Sequence, residues 1–457
     1  MPALSRTSNP YAGLSVAVLG LGRSGVAAAR LLARCGSSVT VLDSGSTAAL
    51  SERAGVLRGE GIGVVTGPAA EAFEARCDLA VLSPGIEERA PLVVNVTSRG
   101  TPLVGEMEMA FTLASSEVVA ITGTNGKTTT TELTVRMLRG AGLDAAACGN
   151  IGTPMSEVLL GGEPGILVTE ASSFQLETIR TFRPRVALWL NLSPNHLDRY
   201  PSMGEYRAAK LRIFENQTGE DHAVLPYGAD LPSLRASTIT FSTSHPEADL
   251  FADNGETISY HGRELLSLGE TRLRGPHNAA NLMAALGAGI AVGADPHAMV
   301  AAVSDYRPPA HRCEHVATVR GVVWINDSKA TNLDAMEQAI RSVRGPLVLI
   351  AGGKDKGSGF GPIAPLVRER VTSAILIGEM RDRIASEWGG IPTVTATDLG
   401  EAVREAARTA EPGATVLFSP GTSSFDMFRN YEERGECFRS LVLELPGQSP
   451  TTRHPRP

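Results

Sequence analysis

Residues 119–132 read Val-Ala-Ile-Thr-Gly-Thr-Asn-Gly-Lys-Thr-Thr-Thr-Thr-Glu, and this stretch decides the class of fold. An apolar run ending at Ile121 leads into a turn with two glycines, then into Lys127-Thr128 and a segment that favours a helix. In this order, backbone N–H groups can point at an anion, the helix N-terminus adds positive charge, and the lysine and threonine can contact phosphate and Mg²⁺. The stretch therefore predicts a nucleotide-phosphate loop between a strand and a helix.

The loop departs from the commonest phosphate-loop pattern at one position. That pattern places a glycine five residues before the glycine that precedes the lysine, and this chain has Ile121 there. The alternative interpretation is a surface Gly-Asn-Gly turn with a solvated lysine. It leaves the four consecutive threonines at the helix start, residues 128–131, unexplained. Nucleotide binding is therefore the preferred interpretation.

The composition is that of a globular protein with several domains. The 457 residues exceed what one hydrophobic core normally holds, and the balance of 42% hydrophobic and 20% charged residues is ordinary. A net charge of −7 disfavours general binding to nucleic acids or membrane surfaces. The five cysteines are far apart, which is more typical of reduced thiols than of a disulfide scaffold or a zinc site. We therefore expect a cytoplasmic protein with no nucleic-acid and no membrane partner.

The order of the predicted elements indicates three domains. Short Val/Ile/Leu-rich runs alternate with Ala-rich stretches of helical period along nearly the whole chain, which predicts an α/β fold. The pattern restarts near Ser115–Glu117 and again after Pro308-Pro309, where paired prolines suit a linker. We expect a Rossmann-like domain over residues 1–115, a central P-loop ATPase-like domain over 116–307 and a second Rossmann-like domain over 308–457.

A second glycine motif lies near the N-terminus. Gly20, Gly22 and Gly25 follow a predicted strand and open a predicted helix, and Asp43 ends the next strand. This is the context of a dinucleotide-binding loop, in which the acidic residue can bond a ribose or a base edge. For this domain alone, an NAD-dependent oxidoreductase would be the default interpretation. The same turn can hold any diphosphate, so the motif alone leaves the ligand open.

Three side chains that suit metal or phosphate chemistry follow in the second section. Glu170 ends a predicted buried strand, where α/β sheets bind ligands, and could reach a metal ion held by Thr128. His196 lies in the loop Asn191–Asp198, directly after another apolar run, and Lys210 lies on an amphipathic helix. Taken singly, each residue has a common alternative interpretation: a glutamate exposed at the rim of the sheet, a histidine with a structural role, or a lysine in solvent. Only the combination of the three favours a functional site.

In this order the motifs resemble those of the Mur ligases, the ATP-dependent ligases of peptidoglycan synthesis, and the resemblance covers almost the whole chain. It rests on residues 122–128, on Glu170 and on Asn191–Asp198. Further matching motifs are His277-Asn278-x-x-Asn281, Ala310-His311-Arg312 and Asn326–Asn332. Within the family, residues 352–357 and 419–435 favour the member that adds D-glutamate to UDP-N-acetylmuramoyl-L-alanine.

The resemblance implies a defined reaction. ATP would transfer its γ-phosphoryl group to the carboxylate of UDP-N-acetylmuramoyl-L-alanine, and the amine of D-glutamate would attack the acyl phosphate through a tetrahedral intermediate. The implied cofactor is Mg²⁺, as two ions, with Lys210 carbamylated. The first domain would bind the UDP-substrate, the second ATP and the third the amino acid. We expect the enzyme to act as a monomer.

The resemblance also implies roles for individual residues. The expected catalytic residues are Lys127, Glu170, His196 and Lys210, and the expected metal ligands are Thr128, Glu170, His196 and the carbamate of Lys210. The expected ATP contacts are Gly123, Thr124, Asn125, Gly126, Lys127, Thr128, Thr129, Asn278, Asn281, Arg312 and Asp327. The expected UDP-substrate contacts are Gly22, Arg23, Ser24, Asp43, Ser83, Pro84, Gly85, Asn150 and His196. The expected D-glutamate contacts are Lys329, Thr331, Lys356, Ser424 and Tyr431.

Two departures from the family pattern leave individual contacts open. Arg23-Ser24 and Ser44-Gly45 replace the threonine- and arginine-bearing residues expected around uracil, and Tyr431 stands where phenylalanine is the commoner residue. Three other functions also stay open. They are another amide ligase on the same scaffold, such as a folylpolyglutamate synthase, an NAD-dependent oxidoreductase, and a nucleotide switch without catalysis. The folate enzyme would not need the N-terminal diphosphate domain, and the oxidoreductase would leave Lys127 and Glu170 unused.

Overall fold

The computed structural model describes residues 9–150, 152–197, 199–253, 256–273, 275–307, 310–355 and 359–447. Asp198, Pro308, Pro309 and Lys356, which the sequence singled out, lie outside these residues. The chain forms two compact units. The first is drawn from Met1–Asn191, Tyr206–Arg272 and Asn278–Tyr306, and the second from Leu192–Glu205, Leu273–His277 and Arg307–Pro457.

A five-stranded parallel sheet opens the first unit. Its strands have the order β3-β2-β1-β4-β5. The chain reverses direction across the sheet between β1 and β4, so the loops after these two strands diverge and leave a crevice at their carboxyl ends. The elements are β1 (Ser15–Leu19), α1 (Arg23–Arg34), β2 (Ser38–Asp43), α2 (Ala48–Gly59), β3 (Gly63–Thr66), α3 (Pro68–Glu71), β4 (Leu79–Leu82), α4 (Pro91–Thr97), β5 (Leu103–Gly105) and α5 (Glu106–Leu113).

A nine-stranded sheet completes the first unit. Its order is β14-β13-β12-β11-β10-β9-β6-β8-β7, parallel from β12 to β7, with antiparallel β13 and β14 at one edge. The elements are β6 (Glu117–Thr122), α6 (Lys127–Gly140), β7 (Ala145–Gly149), α7 (Met155–Gly161), β8 (Ile166–Glu170), α8 (Ser173–Glu177), β9 (Val186–Trp189), α9 (Met203–Leu211), β10 (His222–Pro226), β11 (Ser237–Ser242), β12 (Leu250–Asp253), β13 (Thr257–Tyr260), β14 (Arg263–Ser267), α10 (Pro276–Ala291) and α11 (Pro296–Ala301).

The second unit contains a six-stranded sheet with the order β15-β16-β20-β17-β18-β19, parallel except for the edge strand β15. Apolar clusters cover both of its faces. The elements are β15 (Glu314–Val319), β16 (Val322–Asn326), α12 (Leu333–Ser342), β17 (Leu347–Gly352), α13 (Ala364–Arg370), β18 (Val371–Ile377), α14 (Arg381–Glu387), β19 (Thr393–Thr395), α15 (Leu399–Thr409), β20 (Thr415–Phe418) and α16 (Tyr431–Leu443).

The strands that the sequence predicts are those buried on both faces. β8 ends at Glu170, as predicted, and the predicted apolar run that ends at Ile121 lies in β6. Continuous Val/Ile/Leu runs identify such strands because helices cover both sides of a parallel sheet. The edge strands β12, β13 and β14 were not predicted, since they are short and carry charged and hydroxyl residues. The domain boundaries stay predictions. In the described residues, no helix has both the length and the apolar character to cross a membrane.

Helix α5 connects the two sheets of the first unit through buried carboxylates. The Oε1 atom of Glu106 accepts hydrogen bonds from the backbone N–H (2.8 Å) and the hydroxyl (2.6 Å) of Ser156. The carboxylate of Glu108 accepts from the backbone N–H groups of Thr181 (2.7 Å) and Phe182 (2.9 Å). Both glutamates are at most 3% exposed. These bonds hold the N-terminal sheet in one orientation against the central one.

Glu106→Gln should make the protein relatively more stable at high pH. Burial raises the pKa of Glu106 above its usual 4.5, so the protonated carboxyl contributes stability at low pH that is lost as the pH rises. Glutamine keeps an acceptor for Ser156 and has no charge to bury. We expect the melting temperature of the variant, relative to wild type, to rise by about 2–4 °C between pH 5 and pH 8.

The exposed Glu52→Gln on α2 is the matched control and should show no such pH dependence. Thermal unfolding followed by circular dichroism measures both variants. A Glu106→Gln variant that becomes relatively less stable at pH 8 would contradict the assignment.

Candidate active site

The predicted phosphate loop joins β6 to α6. Gly123 and Gly126 have φ angles of 154° and 83°, a region that other residues rarely adopt. A Cβ atom on Gly126 would lie 2.4 Å from the Oδ1 atom of Asn281, so glycine is required there. Helix α6 begins at Lys127, directly after the turn. The loop therefore ends at a helix N-terminus, where backbone N–H groups can bind an anion.

Two lysine side chains meet at one carbonyl oxygen of this loop. The Nζ atom of Lys127 donates to the carbonyl oxygens of Gly123 (3.0 Å) and Thr124 (2.9 Å), and the Nζ atom of Lys210 donates to the same Gly123 oxygen at 2.8 Å. Lys210 is 1% exposed. Burial, followed by the charge of Lys127, lowers the pKa of Lys210 well below its usual value, and Glu170 opposes this shift. The site therefore favours a neutral amine on Lys210.

Asn191, directly after β9, holds the loop in this shape. Its Oδ1 atom accepts from the backbone N–H groups of Thr124 (3.1 Å) and Asn125 (2.9 Å), and its Nδ2 atom donates to the carbonyl oxygen of Asn125 (3.1 Å). No role was predicted for this residue beyond its place in the motif Asn191–Asp198. The available signal was its position after an apolar strand, because β9 lies beside β6 in the sheet.

Glu170 lies at the carboxyl end of β8, the other neighbour of β6, and pairs in register with Ile121. The residue is 2% exposed, and its Oε1 atom accepts a 2.7 Å hydrogen bond from the Nδ2 atom of Asn150. Its Oε2 atom is buried and has no hydrogen-bond partner among the described residues. A buried carboxylate oxygen without a donor is a fitting ligand for Mg²⁺, which prefers oxygen and tolerates few protein ligands. Thr128, in the first turn of α6, supplies a hydroxyl of the expected kind.

Eight of the nine sequence-predicted UDP-substrate residues line one cleft, with a volume of about 380 Å³, between the two sheets of the first unit, and His196 is not among its lining residues. The Oγ atom of Ser83 is buried and has no hydrogen-bond partner among the described residues, so this hydroxyl is available to a ligand oxygen. Of the predicted contacts, those that line the cleft are Gly22, Arg23, Ser24, Asp43, Ser83, Pro84, Gly85 and Asn150.

In the glycine motif of this cleft, Gly25 is required by close packing, whereas Gly22 leaves space for a ligand. A Cβ atom on Gly25 would lie 1.9 Å from the carbonyl oxygen of Gly20, so close packing requires this glycine. At Gly22 a Cβ atom would meet nothing within 4 Å, which leaves that side open to a ligand. Asp43 accepts from the backbone N–H groups of Leu21 (2.7 Å) and Gly45 (2.8 Å), and so ties the two loops together.

Arg23 connects the rim of the cleft to the central sheet. Its guanidinium donates to both carboxylate oxygens of Glu157 on α7, at 2.7 and 2.8 Å. The hydrogen bonds to Glu157 raise the pKa of Arg23. Both side chains are largely exposed, so the pair contributes on the order of 1 kcal/mol or less. A ligand phosphate at this rim would compete with Glu157 for the arginine.

In the second unit, Asp327 follows β16 and is buried. Its carboxylate accepts from the hydroxyl of Ser419 (2.8 Å) and from the backbone N–H of Cys313 (3.1 Å). Burial raises the pKa of Asp327 to about 7, and the hydrogen bond from Ser419 opposes the shift. A carboxyl that is partly protonated near neutral pH could either donate to or accept from a ribose hydroxyl.

Four of the five predicted amino-acid contacts follow the carboxyl ends of the central strands β16 and β20, and Lys356 lies outside the described residues. The Nζ atom of Lys329 lies 3.6 Å from the centre of the Tyr431 ring, a cation–π contact. Ser424 is buried in the loop after β20, and Thr331 lies in the loop before α12. The tyrosine at this position therefore contacts one of the expected cations.

The structure also describes the remaining predicted contacts, which are His196, Asn278, Asn281 and Arg312. His196 has a φ angle of 57°, and its carbonyl oxygen accepts from the backbone N–H groups of Arg199 (3.0 Å) and Tyr200 (2.9 Å) in the second unit. Asn278 lies in the first turn of α10, and Asn281, one turn later, accepts at 3.3 Å from Thr130. Arg312 is half-buried between His311 and Cys313.

Among the described residues, no group of three or more His, Cys, Asp or Glu side chains is placed to hold a metal ion.

Comparisons with known proteins match this chain to a single family over nearly its whole length. Family models named "Mur ligase MurD-like, N-terminal domain", "Mur ligase middle domain" and "Mur ligase, glutamate ligase domain" match residues 14–105, 121–289 and 311–421. The chain is 44% identical to UDP-N-acetylmuramoylalanine--D-glutamate ligase of Geobacter metallireducens, over 95% of this chain and 98% of that protein. The enzyme of the same name from Geotalea uraniireducens is 43% identical, over 94% of this chain and 97% of that protein. The chain belongs to the Mur ligase family.

Solved structures of Mur ligase relatives share the fold. The structure of UDP-N-acetylmuramate-alanine ligase MurC from Thermotoga maritima matches with a TM-score of 0.62 at 18% identity, over 94% of this chain and 99% of that one. A pseudomurein peptide ligase type C from Methanothermus fervidus gives a TM-score of 0.62 at 18% identity, over 94% and 100%. The expected family and the three-domain α/β fold of a Mur ligase are thus confirmed. The roles of individual residues stay predictions.

Asn191→Ala should weaken nucleotide binding in this Mur ligase. The substitution removes three hydrogen bonds that shape the phosphate loop, so part of the binding free energy would be needed to order the loop. We expect the affinity for a non-hydrolysable ATP analogue with Mg²⁺ to fall about tenfold, equivalent to about 1.4 kcal/mol, as measured by calorimetry.

Asn95→Ala on α4 is a matched control, because the Asn95 side chain also donates to a backbone carbonyl oxygen, that of Phe73, but lies outside the site. It should bind the analogue like wild type. Equal affinity in Asn191→Ala and wild type would show that the loop keeps its shape without this side chain.

Proposed function

We propose that this chain is the ligase that joins D-glutamate to UDP-N-acetylmuramoyl-L-alanine with hydrolysis of ATP to ADP and phosphate. The relatives that match nearly its whole length are named for this activity. The observation that carries the proposal is the position of Asn150. This residue lines the UDP-substrate cleft and donates to Glu170, which pairs with the strand that leads into the phosphate loop. The cleft and the phosphate loop are therefore neighbours within one unit.

A substrate cleft beside a phosphate loop suits a reaction in which ATP activates a carboxylate of the substrate. A carboxylate is a poor electrophile, and transfer of the γ-phosphoryl group of ATP converts it into an acyl phosphate with a good leaving group. Catalysis of such transfers consists mostly of positioning and of neutralising charge on the phosphoryl oxygens. Lys127, at the start of α6, would contact the outer phosphates, and the N-terminus of the helix adds to the positive potential.

We propose that Mg²⁺ accompanies ATP. Thr128 and the unpaired Oε2 atom of Glu170 would hold one ion. We propose a second ion held by His196 and by a carbamate on Lys210. When bound, the ions would neutralise charge on the transferring phosphoryl group.

The environment of Lys210 supports its carbamylation. A carbamate forms when CO₂ adds to a neutral amine, and the buried Lys210 has a pKa well below that of a lysine in water. The lowered pKa leaves a larger share of the amine neutral, and so able to react with CO₂, than for a lysine in water. The product is a long carboxylate that can act as a metal ligand. Its negative charge would lie beside Lys127, whose Nζ atom donates to the same Gly123 carbonyl oxygen as the Nζ atom of Lys210.

D-Glutamate would bind in the second unit. Its two carboxylates suit Lys329, Thr331, Ser424 and Lys356, of which Lys356 lies outside the described residues. Its amine must be unprotonated to attack the acyl phosphate. We further propose ribose binding at Asp327, a monomeric enzyme, and a place in the cytoplasmic synthesis of peptidoglycan precursors.

Release of ADP is the direct test of the proposed function. We expect release with ATP, Mg²⁺ and UDP-N-acetylmuramoyl-L-alanine to depend on D-glutamate, and to be far slower with L-glutamate, L-alanine or meso-diaminopimelate. A preference for any of those three would assign a different ligase. ATP binding without substrate-dependent release of phosphate would favour a nucleotide switch, and nicotinamide binding without binding of the UDP-sugar would favour an oxidoreductase.

Lys210→Ala should lose most turnover, because it removes both the amine and its carbamate. Excess bicarbonate together with a short carboxylate such as formate should restore part of the rate by supplying a metal ligand in place of the carbamate. Arg207→Ala, which alters an arginine on the same helix that bonds Asp230 at the surface, is the control and should keep its activity. Wild-type turnover in Lys210→Ala would overturn the assignment.

A further inference from the structure

Arg434 is a buried arginine that lies within the motif 419–435 but has no role assigned to it by the motif or by the proposed mechanism. It lies in the first turn of α16, is 1% exposed, and its guanidinium carbon lies 5.9 Å from the centre of the Phe418 ring. Arginine is almost never buried to this extent unless it is paired with a carboxylate. Among the described residues, no carboxylate lies within salt-bridge distance of this guanidinium.

The partners of Arg434 are neutral oxygen atoms on two loops. The Nη2 and Nε atoms donate to the carbonyl oxygen (2.8 Å) and the hydroxyl (3.1 Å) of Ser328. The Nη1 and Nη2 atoms both donate to the carbonyl oxygen of Thr422, at 3.2 Å each. These bonds use the fork of the guanidinium to join the loop after β16 to the loop after β20.

A third loop and the start of α16 pack against the same group. A Cβ atom on Gly353, which follows β17, would lie 3.2 Å from the Nη1 atom of Arg434. The next residue, Lys354, donates its N–H to the carbonyl oxygen of Ser423 at 2.9 Å. The hydroxyl of Ser328 also donates to the carbonyl oxygen of Tyr431 at 2.9 Å. One guanidinium therefore lies at the meeting point of these four segments.

The strands before these loops are adjacent in the sheet. β20 lies between β16 and β17 and is parallel to both, so their carboxyl ends lie side by side. This edge is where open α/β sheets bind ligands. The three loops carry the proposed D-glutamate contacts, with Lys329 beside Ser328 and Ser424 two residues after Thr422.

The charge of Arg434 adds to its geometric effect. Burial lowers the pKa of this arginine to about 10, with Asp426 and Asp327 opposing at longer range, so the group stays charged at neutral pH. A buried charge without an ion-pair partner is costly to the protein alone. An anionic ligand at the adjacent edge would offset part of that cost.

We propose that Arg434 is a positioning residue for the amino-acid substrate: it joins the three substrate loops and supplies a positive potential that favours a dianionic amino acid. The proposal rests on the proposed function, because it takes D-glutamate as the ligand of these loops. It predicts that Arg434 affects the KM for the amino acid and leaves those for ATP and the UDP-substrate nearly unchanged.

The test compares two substitutions of Arg434 in the full-length protein. Arg434→Met keeps much of the volume and removes the charge, and Arg434→Lys keeps the charge but loses the fork that reaches both loops. We expect Arg434→Met to raise the KM for D-glutamate more than tenfold and to change the other two KM values less than twofold. Arg434→Lys should lie between this variant and wild type.

Phe438→Leu is the matched control for a loss of packing. Phe438 lies one turn further along α16 and stacks on Phe418, with 4.7 Å between ring centres, so its substitution lowers stability without touching the loops. It should lower the melting temperature and leave the KM for D-glutamate unchanged. If Arg434→Met does not fold, Ser328→Ala and Arg434→Lys carry the test, since each removes only part of the hydrogen bonds.

Two results would overturn the proposal. One is an unchanged KM for D-glutamate in folded Arg434→Met, or in both milder variants. The other is a change of equal size in the KM values for D-glutamate, ATP and the UDP-substrate, in proportion to the drop in melting temperature. That pattern is expected for a residue with only a structural role. Wild-type protein is assayed first, because absence of D-glutamate-dependent ADP release would reject the proposed function and not the role of Arg434. In that case the same KM comparison applies to whichever amino acid supports turnover.

Discussion

The carbonyl oxygen of Gly123 is the point on which the candidate site depends. The side-chain nitrogens of Lys127 and Lys210 share this one acceptor, with Lys210 buried and Lys127 partly buried. The backbone can present the oxygen there because Gly123 adopts a φ angle of 154° and because Asn191 holds the following residues. Positive charge on both lysines would be mutually repulsive, which favours a bound anion or the loss of one charge. Binding of a phosphate group and loss of the proton from Lys210 would each reduce this repulsion.

The use of lysine in the chain is consistent with this electrostatic requirement. Only five of its 42 basic residues are lysines, and they are Lys127, Lys210, Lys329, Lys354 and Lys356. Four of these five were predicted site residues, and Lys354 lies in the loop that packs against Arg434. Elsewhere the chain uses arginine, which cannot lose its proton and cannot form a carbamate. Lysine thus occurs where a compact cation or a titratable amine has a chemical use.

How far the sequence predicted the structure depended on whether the signal was local. Strands buried on both faces and glycine turns have local signatures, so the strand that ends at Glu170 and the two glycine turns before α1 and α6 were all predicted. Asn191 and Arg434 were not. Their partners lie 66 to 106 residues away along the chain, or across neighbouring loops, and no local pattern indicates them. The edge strands β12, β13 and β14 were missed for a different reason, because their polar residues obscure the alternation that identifies a strand.

By itself, the sequence determined the fold class, the family resemblance and the residue types at the site, because backbone conformation and chemical type are local properties. Only the tertiary structure decided which of these residues act on one another. It placed Asn150 between the cleft and Glu170, left one oxygen of Glu170 without a donor, and made Lys210 a buried amine instead of a solvated one. The physical reason is that charge, protonation and metal affinity depend on burial and on neighbours within a few ångströms. Strand order in the sheet sets those neighbours, and distance along the chain does not.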